Sequence, residues 1–352
     1  MRKSLTIIKL SLIFLTIAFL ISASAYAESP SKKSSTTSNI EYSDHSYILP
    51  MPKEWVDKPI KYEQWAEGAD IAIILDQHLY IALLPIILKY GKDNNLKIEV
   101  KEGTCGTAFG AINKKTVDIT GLCCPPATFN RLPGLRYQTM GIAALAILIN
   151  EHNPIDNVTT EQARGLFSGK IKKWSSLKTK SGGKGADSEV HPIGRLHCKT
   201  MPGHWRLILP SENDFSLSMK EVGTIPDMVG DVSQDKYAVG FESVWSARYY
   251  IGSGKVKILS INGYNPEDGA SNLISSGYPF YEPYDLTTWE GKIQHNVKAQ
   301  KLVEYLMANV ERIDKKYLIL PAKSLKDAGW RFEDNELLNS TLGTASQNPA
   351  RH

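Results

Sequence analysis

Residues 153–174 read NPIDNVTTEQARGLFSGKIKKW. Thr159, followed three positions later by Gln162, fits a capping box, so a short helix opens there. Gly169 supplies its stop. Just upstream, residues 145–149 are apolar throughout, as in a strand buried on both faces. The same alternation continues in both directions. Toward the N-terminus, residues 71–75, 96–100 and 117–119 read as short strands. Residues 79–88 read as a buried helix that ends at Gly91 and kinks at Pro85. Toward the C-terminus, residues 238–241 and 256–261 read as strands. Residues 297–313 give the strongest helix, with Leu302, Val303, Leu306, Val310 and Ile313 on one stripe. Short strands alternating with helices predict α/β layers.

The chain has 352 residues, enough for two domains, and contains no internal repeat. Its 42% hydrophobic and 22% charged residues exclude a disordered chain, a fibre and a polytopic membrane protein. Residues 1–27 read as a secretory signal peptide. Arg2 and Lys3 form its positive start, residues 10–21 its apolar stretch, and Ala25-Tyr26-Ala27 its cleavage motif. Lys9 breaks the run, which is short for a membrane span. The expected mature protein is therefore periplasmic or secreted, released by cleavage after Ala27, with no membrane anchor. The formal net charge is +4, but Arg2, Lys3 and Lys9 leave with the signal. The remaining 38 basic and 37 acidic residues give no field for nucleic acid. Residues 28–66 read as a polar leader and an extension laid over a domain surface, and 336–352 as a loose tail.

Several stretches in fixed order carry a family resemblance. EGTCGTAFGAI occupies residues 102–112 and VDITGLCCPP residues 117–126. The 153–174 stretch follows, then IGRLHCK at 193–199 and YAVGFESVW at 237–245. In this order the chain resembles the phosphate-binding proteins of phosphate ABC transporters, over about residues 70–320. The resemblance implies a type II periplasmic binding protein, with two α/β lobes around a ligand cleft. It places lobe one at 67–145 plus 282–335 and lobe two at 146–281. It implies a small anionic ligand such as phosphate, a transporter permease as partner, and no catalysis. Anions suit such clefts because helix N-termini and loops present unpaired N–H groups.

The ligand loops depart from that family. Where it has G-S-G-T-A-F, this chain has Thr104-Cys105-Gly106-Thr107-Ala108-Phe109. Where it has G-x-S-[SD]-x-P, both polar positions are cysteine, Cys123 and Cys124. Arg195 is kept in the fourth loop, but Cys198 stands where a serine is expected, beside His197. The first loop is Asp76-Gln77-His78 in place of a G-S-T type. All four cysteines thus map to cleft loops. The ligand-binding candidates are Asp76, Gln77, Thr104, Cys105, Gly106, Thr107, Cys123, Cys124, Arg195, His197 and Cys198.

A thiol is a poor donor to a hard phosphate oxygen, whereas thiolates suit soft metals. Three readings stay open. In the first, Cys123 and Cys124 bond outward in disulfides, for example to Cys105 and Cys198. In the second, Cys105, Cys123, Cys124, His197, Cys198 and His204 hold zinc or copper. In the third, the cysteines are small packed residues, while Arg195 and backbone N–H groups bind an oxyanion. A nucleophilic cysteine would need a base in reach and a depressed pKa, which sequence does not show.

Overall fold

The computed structural model describes residues 47–124, 126, 131–196, 204–268, 270–275 and 277–339. The signal segment, the leader to residue 46 and the 197–203 loop lie outside them.

The described chain begins as an extension holding one helical turn, α1 (Lys53–Val56). Its anchor is a buried lysine. Lys115 donates to the carbonyls of Trp55, Val56 and Lys58, and its ammonium stands 4.0 Å from the Trp55 ring centroid. The segment is held through these carbonyls, while Leu49, Met51, Trp55, Ile60, Tyr62 and Trp65 pack against the core beneath it.

A parallel unit follows, comprising β1 (Ile71–Asp76), α2 (Gln77–Asp93), β2 (Ile98–Gly103), α3 (Cys105–Lys114) and β3 (Ile119–Leu122). β1 lies between β2 and β3 and is parallel to both. Asp76 ends β1 and caps α2, while Thr104 caps α3, so strand ends lead directly into helix N-termini. Helix α2 runs past Gly91 to Asp93 and keeps Pro85 inside. Proline leaves the carbonyl four residues earlier without its helical donor. Here that carbonyl, of Ile81, accepts a hydrogen bond from Tyr317 Oη at 3.3 Å.

β4 (Leu135–Asn150) is far longer than the 145–149 strand expected, and it is buried from Tyr137 onward. Its first part carries Arg136, Gln138 and Thr139, which hide the strand from a hydrophobicity reading. β5 (Asn157–Val158) and α4 (Thr160–Ser168) come next. The Thr159–Gln162 capping box is present, and Gly169 ends the helix at φ 72°. β6 (His191–Gly194), β7 (Lys220–Glu221), α5 (Ile225–Gln234), β8 (Ala238–Ser243) and α6 (Val244–Tyr249) complete a second parallel unit. The expected 256–261 strand divides at Leu259 into β9 (Val256–Ile258), on β4, and β10 (Ser260–Ile261), on β5. α7 (Ala270–Ile274), β11 (Tyr281–Trp289) and α8 (Val297–Ala308) follow. The expected stripe is buried, but α8 stops at Ala308, and a 3₁₀ turn carries Val310. Asn309 ends the helix by donating its side-chain amide to the Tyr305 carbonyl at 2.7 Å.

β12 (Leu320–Pro321), α9 (Ala322–Asp327), β13 (Arg331–Glu333) and β14 (Glu336–Asn339) close the described chain. The tail expected to be loose from residue 336 is therefore a paired strand up to Asn339. Glu336 is the reason: Arg131 grips it with two hydrogen bonds, of 2.6 and 2.9 Å, in a buried ion pair.

Among the described residues the main sheet has ten strands, in the order β2-β1-β3-β11-β4-β8-β6-β7, with β9 and β12 also on β4. Two hydrophobic cores hang on it. One gathers β1, β3, α2, α3, α8 and the first half of β4. The other gathers the second half of β4 with α4, α5, β8 and Phe280. β4 is common to both.

Gly141 marks a close approach within this frame. A Cβ there would stand 2.3 Å from the backbone oxygen of Leu320 on β12. Backbone cannot yield as a side chain would, so Gly141→Ala should cost about 1–3 kcal/mol. Thermal unfolding checks this; an unchanged Tm would contradict the β4–β12 register.

Candidate ligand site between the two cores

The ends of β1, β6 and β8 bring a buried chain of charges together. Asp76 Oδ1 accepts from the backbone N–H of His78 at 2.9 Å and lies 2.7 Å from His78 Nδ1. His78 Nε2 lies 3.2 Å from Glu242 Oε2 on β8. The other Glu242 oxygen accepts from Arg195 Nη1, and Arg195 Nη2 donates to Gln77 Oε1 at 3.3 Å. Asp76, Gln77 and His78 belong to the first parallel unit, Arg195 and Glu242 to the second. The chain Asp76–His78–Glu242–Arg195 is thus a bridge between the halves.

Burial alone would lower the pKa of His78. The carboxylates of Glu282, Asp76 and Glu242 outweigh it and hold the imidazole protonated well above its usual value. Burial likewise acts against the Arg195 charge, but the Glu242 carboxylate overrides it and raises the pKa. Trp245, on the first turn of α6, sets its ring edge-on to His78 at 6.4 Å between centroids.

Three thiols sit on the Asp76 side. Cys105, the first residue of α3, donates to Asp76 Oδ2 at 3.4 Å. Cys123 and Cys124 form the bend after β3 and are buried. Cys105 Sγ lies 3.0 Å from Cys123 Sγ and 3.7 Å from Cys124 Sγ. A disulfide has its sulfurs about 2.05 Å apart, so these are contacts and not bonds. The pairing of Cys105 with Cys123 or Cys124 is corrected accordingly. Hydrogen bonds with Cys105 and Cys124, followed by burial, push the Cys123 thiol well above its ordinary pKa.

Glu282 and Tyr284, on β11, form the floor. Tyr284 Oη donates to Glu282 Oε1 at 3.1 Å. Burial pushes Glu282 up to about 8, with the charges of Glu242 and Asp76 adding to it and His78 opposing. Three polar atoms of this cluster find no hydrogen-bond partner among the described residues: Arg195 Nε, Trp245 Nε1 and Glu282 Oε2. Two are fixed donors, and the third becomes one while Glu282 is protonated.

Of the residues singled out in the sequence, Asp76, Gln77, Cys105, Cys123, Cys124 and Arg195 meet here. Thr104 and Thr107 are engaged otherwise. Thr104 Oγ1 accepts from the Thr107 N–H at 3.2 Å and pairs with Thr107 Oγ1 at 3.1 Å, closing the first turn of α3. Gly106 is part-exposed on that same turn. His197 and Cys198 lie outside the described residues, as does the side chain of His204. Sequence reasoning assigned no role to His78, Glu242, Glu282 or Tyr284. The signal available was an isolated acid inside an apolar strand, as in VGFES (residues 239–243) and YEPY (281–284).

Residues 64–310 match the family model of the PBP superfamily domain, and the chain belongs to that superfamily. Protein SphX of Synechococcus elongatus is 22% identical over 268 residues, covering 70% of this chain and 75% of SphX. Two solved structures share the fold. One is an ABC-type phosphate transport receptor from Vibrio cholerae, at 18% identity and TM-score 0.55, covering 75% of this chain and 100% of that one. The other is a putative phosphate ABC transporter substrate-binding protein with bound phosphate from Clostridium perfringens. It has 14% identity and TM-score 0.59, covering 72% and 99% of the two chains. The fold is therefore the α/β, two-lobed type II periplasmic binding protein expected. Among the described residues, no helix is long and apolar enough to cross a membrane.

The buried acids set a pH dependence of stability. Glu282 and Asp285 are both pushed up to about 8, chiefly by burial. An unfolded chain releases these protons near pH 4. Between those values the folded chain binds more protons, so stability falls as pH rises from about 4 to about 8. Tm measured across this range should decline, and the decline should be shallower in Glu282→Gln. Parallel curves for the two proteins would contradict the burial of an ionisable group there.

Proposed function

We propose that this protein is an exported solute-binding subunit of an ABC transporter and that it captures a phosphate-like oxyanion between its halves. One observation carries the reading. Among the described residues, Arg195, 3% exposed, keeps its Nε–H without an acceptor, and so does the buried indole N–H of Trp245, whose ring stands edge-on to His78. A buried donor left unpaired costs roughly 1–3 kcal/mol, so such donors are normally satisfied. A small tetrahedral anion would satisfy both. Glu282 would add a third donor, its proton held up to about pH 8. The two solved structures that share this fold are named as phosphate transport proteins, one of them with phosphate bound, and this supports the same ligand class.

The lobes would be those expected from the resemblance, about 67–145 with 282–335, and 146–281. The bridge of Asp76, His78, Glu242 and Arg195 would hold them closed. Cleavage after Ala27 would release the chain into the periplasm, with the permease as its partner. The site suits binding rather than catalysis. Cys123 has its pKa raised, the reverse of what an activated thiolate needs.

Calorimetric titration of the reduced, metal-free protein with phosphate tests this. One anion should bind per chain. Arg195→Met should weaken binding by about 10–100-fold, the range for hydrogen bonds to a charged group. Affinity should fall above pH 8, as Glu282 ionises beside Glu242, Asp76 and the bound anion. In Glu282→Gln that fall should be smaller, and comparing the two proteins cancels the titration of phosphate itself. Absence of phosphate binding at millimolar concentration would overturn the reading.

A further inference from the structure

The thiols on the Asp76 side have no role in the oxyanion reading. We propose that Cys105, Cys123, Cys124 and Asp76 form a binding site for one zinc ion. The geometry gives Cys105 a contact with each of the other three groups, and closing a four-ligand cage would draw Asp76 toward Cys124. A tetrahedral zinc with Zn–S near 2.3 Å sets its sulfurs about 3.8 Å apart, and sulfur and carboxylate oxygen about 3.6 Å apart. Cys105 Sγ stands 3.7 Å from Cys124 Sγ and 3.4 Å from Asp76 Oδ2. Its 3.0 Å approach to Cys123 must open by roughly 0.8 Å to reach the same edge. The three sulfurs lie within 4.8 Å of one another, and Cys123 Sγ lies within 4.8 Å of both Asp76 and His78.

The donor set selects the ion. Three sulfurs favour a soft or borderline metal, and a carboxylate fourth ligand favours divalent zinc over a cuprous ion. The surroundings fit a ligating carboxylate. His78 Nδ1 holds Asp76 Oδ1 at 2.7 Å, which leaves Oδ2 on the sulfur side. Such supporting hydrogen bonds orient metal ligands. Charge also favours the site. Zinc bound to three thiolates and Asp76 carries two net negative charges, and the cationic His78 and Arg195 lie close by. The proposal shares no ligating residue with the anion donors Arg195, Trp245 and Glu282, so the two readings stand or fall separately.

Binding replaces the thiol protons with metal. One Zn²⁺ enters, three Cys S–H bonds are lost and three protons pass to the buffer, with no change of oxidation state. The test uses the mature protein, reduced and stripped of metal without oxygen. Zinc is added alone, with a chromophoric chelator as competitor, proton release followed in weak buffer, and bound mass read by native mass spectrometry. One zinc per chain and about three protons are expected. Cys105→Ser should weaken zinc binding at least tenfold and reduce proton release. Asp76→Asn keeps a side-chain oxygen to cap α2, and it should weaken zinc at least tenfold while proton release stays near that of the wild type. It serves as the second variant if Cys105→Ser does not fold. Three results would overturn the proposal: no zinc uptake at micromolar concentration, equal affinity in wild type and both variants, or a disulfide consuming two of the three thiols in the native protein. Phosphate titrated into the same preparations separates this outcome from that of the oxyanion reading.

Discussion

The structure turns on the buried contact of His78 with Glu242. It is a 3.2 Å link between residues 164 positions apart, each part of a separate helical-and-strand unit. Glu242 is fully buried and His78 nearly so. Charges taken this far from water are tolerable only when paired, and breaking one such pair leaves a cost of about 3–5 kcal/mol. Asp76 and Arg195 complete the pairing at either end. The four groups sum to zero charge and fix the halves at one separation. That separation gathers the thiols around Asp76 and leaves Arg195 Nε and Trp245 Nε1 without partners among the described residues.

Strand β4 makes this arrangement mechanically simple. It belongs to both cores, as β11 does, and it pairs with β11 over its first half and with β8 over its second. β11 enters beside it and delivers Glu282 and Tyr284 to the floor. The helices of the two units start where their strands end, so polar residues at strand C-termini collect in one layer. Asp76, Thr104 and Ser243 all cap helices in this way.

The α/β layering was legible in the sequence, because strand 71–75, the capping box at Thr159 and the stripe of α8 are local patterns. That Arg195, Cys105, Cys123 and Cys124 fall on neighbouring loops was legible through the family-like order of those loops. Glu242 and Glu282 were not. Each is a single acid within an apolar strand, and what draws it into the buried cluster is the charge of residues far along the chain. The first half of β4 escaped notice because Arg136, Gln138 and Thr139 break its apolar run, yet these side chains find partners across the sheet. Arg136 pairs with Glu290, Gln138 with Thr288 and Thr139 with Asp285. Thr104 and Thr107 were legible in type but not in role: a hydroxyl at the start of a helix serves the helix before it serves a ligand.

The most direct test of the account is a crystal structure of the reduced, zinc-free protein grown with phosphate. The account predicts tetrahedral density within hydrogen-bond distance of Arg195 Nε and Trp245 Nε1, with Glu242 still bound to His78. Phosphate located elsewhere, with both donors still unpartnered, would contradict it.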